Sequence, residues 1–72
     1  MISESRSEIL HLLEDLSELA PDVRFGQLIV NLSYLAVGPT VEAPWDVEDE
    51  QLLHAIRQQI ADFSKRMAVE AA

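Results

Sequence analysis

Apolar residues along the chain fall into three periodic stretches separated by proline-bearing breaks. In the first, Ile9, Leu12, Leu13, Leu16, Leu19 and Ala20 recur at spacings of three and four. That recurrence lines one side of a helix and lacks the alternation of a half-buried strand. A helix is predicted over about 4–20, ended by Pro21. Ser5 and Glu8 have the S-x-x-E form, in which a hydroxyl and a carboxylate each satisfy a first-turn N–H, with Ser3 as a competing cap. His11, Glu14, Asp15 and Glu18 occupy the outer face.

The second stretch predicts a helix over 23–37, opened by Pro21 and a capping Asp22 and closed by Gly38 and Pro39. Its core side gathers Phe25, Leu28, Ile29, Leu32, Leu35 and Ala36 within an arc of about 120°. Gly26, Val30, Ser33 and Val37 form a second strip, small or β-branched throughout, through which another backbone could approach. Arg24, Gln27, Asn31 and Tyr34 lie between the two strips.

Residues 38–45, GPTVEAPW, read as a loop, with extended geometry imposed before each proline. Trp45 is expected to cover an end of the core, its indole N–H bonded to a carbonyl or to water. Asp46 is the expected cap of a third helix over 47–69, whose first turn holds Glu48, Asp49 and Glu50, where the helix dipole favours acids. Leu52, Leu53, Ile56, Ile60, Phe63 and Met67 make its stripe, His54 lies off that stripe, and residues 68–72 are expected to fray.

Three amphipathic helices with short connections predict an all-α fold, a small three-helix bundle forming a single domain over 1–72. The middle helix has two apolar sides and its neighbours one each. Either the neighbours flank it or one side stays open to a partner.

Composition sharpens this picture. A chain of 72 residues without cysteine has no disulfide or thiolate site to reinforce it, which favours self-association. The formal net charge is −8, from thirteen acids and five bases, and no basic cluster is larger than Lys65 with Arg66. Nucleic acid is therefore not an expected partner, since phosphate binding needs clustered cations. Uninterrupted apolar runs reach four residues at most, far short of a membrane span, and MISESRSE lacks the basic and apolar parts of a secretory signal. A cytoplasmic location without membrane association is expected.

Candidate chemistry is sparse. Arg24, Gln27, Asn31, Tyr34, Trp45 and Asp49 form a candidate binding patch of interface-prone residue types. The same residues also read as fasteners: Asp49 shares a side with Leu52, Leu53 and Ile56 and wants a partner, for which Arg24 is the candidate. Asn31 could bond the backbone of the APWD segment. His11, Glu14, Asp15 and Glu18 share a face but supply a single imidazole, and WDVEDE lacks the ligand alternation and the glycine of an EF-hand loop. No metal or cofactor is expected. The absence of a thiol, a G-x-S-x-G elbow and a glycine-rich phosphate loop predicts no enzyme.

The segments PDVRFGQLIVNL and WDVEDEQLL, within residues 21–53, resemble a pattern of short bacterial proteins of unassigned function: P-D-x-R-F/L-G-Q-L-x-x-N, a loop, then an aromatic and an E-D-E-x-L helix start. The resemblance implies that Arg24, Gly26, Gln27, Asn31 and the segment Trp45 to Glu50 belong to one unit. It implies no activity, cofactor or substrate.

The function expected from these features is a non-enzymatic protein–protein interaction module, a homodimer meeting through Gly26, Val30, Ser33 and Val37. Two alternatives stand beside it. One is a ligand-binding or enzyme-accessory domain with a pocket lined by the polar residues of the second helix. The other is an acidic partner of a basic protein.

Overall fold

The computed structural model describes residues 1–71, with side chains through residue 66. Every regular element among the described residues is a helix: α1 (Glu4–Leu19), α2 (Phe25–Val37), the one-turn α3 (Ala43–Asp46) and α4 (Asp49–Ala71). The three long helices occupy the three periodic stretches, and α3 is an addition within the expected loop. Met67 and the tail over 68–72 lie outside the residues whose side chains are described. No described helix is long and apolar enough to cross a membrane.

The helix starts differ from expectation for local reasons. Ser3 caps α1, its hydroxyl accepting from the Arg6 N–H at 3.2 Å. Ser5 is already inside the first turn, and its hydroxyl donates to Glu50 of α4 instead. Asp22 does not cap α2: the Val23 N–H bonds back to the Ala20 carbonyl at 3.2 Å, so the chain turns once more before Phe25. Arg24 takes the cap position without a side-chain bond. Asp46 closes α3 rather than opening the last helix. Glu48 precedes α4, and its N–H donates to Gln51 Oε1 at 2.9 Å, one half of a capping box.

α4 is the spine of the fold. It packs against both α1 and α2, α3 packs on α2, and α1 and α2 have little contact with each other. On the α1 side, Arg6 pairs with Asp49 at 3.3 Å and Glu8 pairs with Arg57, so α1 and α4 run in the same direction. On the other side, the start of α2 lies beside Gln59 and Phe63, and its end beside Glu50, His54 and Ala55, so α2 runs antiparallel to α4. The sequence reading placed α2 in the middle. α4 takes that place because it can bury two flanks at once: Leu53, Ala55 and Ile56 join Ile9 and Leu16 of α1 and Leu28 and Leu32 of α2 in one cluster.

Both ion pairs of the α1–α4 seam have half-exposed side chains. Pairs of that kind contribute about 0–1 kcal/mol, so the apolar cluster carries the packing.

Gly38 ends α2 with φ 103° and ψ 159°. This backbone region is accessible essentially to glycine alone, and its extended ψ also suits the residue before Pro39. A Cβ at Gly38 would meet no atom within 4 Å, so an added side chain would be penalised by torsion and not by collision. Gly38→Ala is expected to destabilise the domain by about 1–3 kcal/mol in thermal or urea unfolding.

Candidate functional site

The polar residues of α2 do not converge on one site. Arg24 stands at the start of α2, where Val23, Leu28, Asn31 and Leu32 share a cleft of about 120 Å³ with Gln59 and Phe63 of α4. Asp49 begins α4 and lies about ten residues before Gln59, roughly 15 Å along the helix axis. The antiparallel course of α2 therefore separates Arg24 from Asp49, and the carboxylate takes Arg6 as its partner. Among the described residues Arg24 makes no ion pair. Asn31 does not bond the APWD backbone; its Oδ1 accepts from Gln27 Nε2 at 2.9 Å, an exposed pair one turn apart on α2. Tyr34 is exposed.

The strip of small residues on α2 is partly closed by the chain itself. Ser33 is 1% exposed and its hydroxyl donates to the Val30 carbonyl at 2.7 Å. Val30 and Val37 are half-buried, and Gly26 alone of the four is fully at the surface. α3 packs on α2 and buries Ala43 completely. α3 thus gives α2 a second intramolecular neighbour that the periodicity did not reveal.

Trp45 does not cover the core. It is 89% exposed. Ala43 is the residue that α3 turns inward, and a side chain two positions on points about 200° around the helix. Pro44 fits the first turn of α3, where its missing N–H costs nothing. Val41, four residues before Trp45, is 87% exposed. On α2, Phe25 and Leu35, both expected in the core, keep 58% and 43% of their surface. Phe25 occupies the first position of the helix, and Leu35 the edge of the buried arc.

Leu35 belongs to a second concavity. Leu35 and Ala36 of α2 face Glu50, Gln51, His54, Ala55 and Gln58 of α4 across a groove of about 320 Å³. Its floor is apolar and built on the two alanines, and its rim is polar. Ala55, 2% exposed, was not assigned to the core from sequence, because an alanine adds little to a periodic stripe. His54 is exposed on the rim.

Among the described residues no group of three or more His, Cys, Asp or Glu side chains is placed to hold a metal ion. Among the described residues no buried side-chain nitrogen or oxygen lacks a hydrogen-bond partner. Neither concavity therefore offers a stranded polar atom aimed at a ligand. Exposed large apolar side chains are spread over the chain: Met1, Ile2 and Leu10 at or near α1, and Phe25, Tyr34, Leu35, Val41 and Trp45 on α2 and the segment that follows it.

A double-mutant cycle measures this rearranged pairing. The coupling between Arg6 and Asp49 is expected at about 0–1 kcal/mol, and that between Arg24 and Asp49 at zero within error. No protein-family model, no curated protein and no solved structure matches the chain.

Proposed function

We propose that the chain is a non-enzymatic protein–protein interaction module that works as a homodimer. The observation that carries the reading is the exposure of Trp45, the only tryptophan. Large aromatic groups are costly to leave in water, and tryptophan is enriched in the centres of interfaces. The contact surface moves accordingly from the strip at Gly26, Val30, Ser33 and Val37 to the exposed apolar residues of α2 and α3. The 21–53 pattern covers α2, α3 and the start of α4, so the resemblance to short bacterial proteins falls on the part of the chain that bears this surface.

The charge gives the reading a sign. Each copy carries −8, so two copies repel, and added salt should screen that repulsion and strengthen the pair. An acidic module built for a basic protein would instead lose its partner as salt rises. Sedimentation over a range of protein concentrations at low and moderate salt separates the cases. The expected result is a monomer–dimer equilibrium shifted toward dimer by salt, and monomer at every concentration and salt level overturns the dimer.

A further inference from the structure

We infer that Trp45, together with the carboxylates of Glu42 and Asp46, is the docking point for an arginine-bearing basic segment of a partner protein. The inference goes beyond the homodimer reading, because it concerns an occupant of opposite charge for the same indole. Its basis is the distribution of charge. Residues 25–56 hold five acids, Glu42, Asp46, Glu48, Asp49 and Glu50, and no lysine or arginine. Asp49 is paired with Arg6, and Glu50 accepts from Ser5. Glu42, Asp46 and Glu48 are exposed and, among the described residues, form no ion pair. The nearest cations in sequence are placed elsewhere: Arg6 and Arg57 are tied into the α1–α4 seam, and Arg24 stands at the other end of α2.

α3 fixes two of these carboxylates beside the ring. The N–H groups of Trp45 and Asp46 both donate to the Glu42 carbonyl, at 2.8 and 2.9 Å. Glu42 and Asp46 therefore stand one helical turn apart, where like charges repel, with Trp45 between them in sequence and open to water. The place lacks a cation and offers a flat aromatic face. A guanidinium answers both: its planar fork suits carboxylates, and it stacks on an indole where an ammonium remains a strongly hydrated point charge. Val41, exposed next to Glu42, adds apolar surface for the aliphatic stem of such a side chain. A nucleic acid or an anionic membrane would meet like charge here.

A hexa-arginine peptide is the probe. It is titrated into the chain at concentrations where sedimentation shows monomer, with Trp45 fluorescence and calorimetry as readouts. The expected result is a saturable change in Trp45 emission, tighter for hexa-arginine than for hexa-lysine and weakened by added salt. Trp45→Ser, and Glu42→Gln combined with Asp46→Asn, should each weaken binding by about fivefold or more in calorimetry. Glu14→Gln combined with Glu18→Gln removes the same charge from the outer face of α1 and should change binding by less than about twofold. All five positions are exposed, and circular dichroism verifies that helicity is kept. Equal weakening by the two double variants would mean that net charge alone attracts the peptide, and would overturn the docking point. Binding that survives the loss of Trp45, or that is no tighter for arginine than for lysine, overturns the part given to the indole. Each of these failures leaves the homodimer standing, and a chain that stays monomeric leaves this titration intact.

Discussion

The whole arrangement depends on α4 burying two flanks at once. Leu16 of α1 and Ile56 of α4 have no exposed surface, and Leu32 of α2 keeps 1%. All three belong to one cluster, yet α1 and α2 scarcely touch. α4 must therefore supply surface to both neighbours, and Ala55 beside Ile56 widens its apolar side enough to do so. Removing so central a contact would release both neighbours, because a chain of 72 residues has no second core to fall back on.

What α4 covers determines what is left over. It takes the side of α2 that bears Leu28 and Leu32, and α3 packs on α2 with Ala43 buried. With 100° per residue, the geometry that buries Ala43 sends Trp45, two positions on, outward. The exposed tryptophan is thus a consequence of how the 38–48 segment closes over α2. The apolar groove has a related origin: where Ala36 and Ala55 meet, two small residues leave space between the backbones of α2 and α4.

The three long helices were legible because their apolar residues repeat at helical spacing and their breaks carry proline or glycine. Their roles were less so. Periodicity shows how wide an apolar face is but not which neighbour occupies it, so α2 read as the middle element. Arg24 and Asp49 looked like partners because Asp49 shares a side with Leu52, Leu53 and Ile56 and wants a counter-charge, for which Arg24 was the candidate. The directions of α2 and α4, which no local pattern encodes, place the starts of those helices at opposite ends. Capping was ambiguous for a similar reason: Ser3 and Ser5 both have the right chemistry, and only the first helical residue decides between them. Trp45 was misplaced because residues 38–45 were read as loop and Asp46 as the cap of the last helix. Pro44 there signals a helix's first turn as readily as a bend.

Native-state hydrogen exchange tests the role of α4 most directly. The amides of Leu53, Ala55 and Ile56 should exchange only through global unfolding and be the slowest in the chain, with those of α1 and α2 at or below that protection. Amides of α1 or α2 that outlast them would mean that those helices hold a core of their own, and would contradict the account.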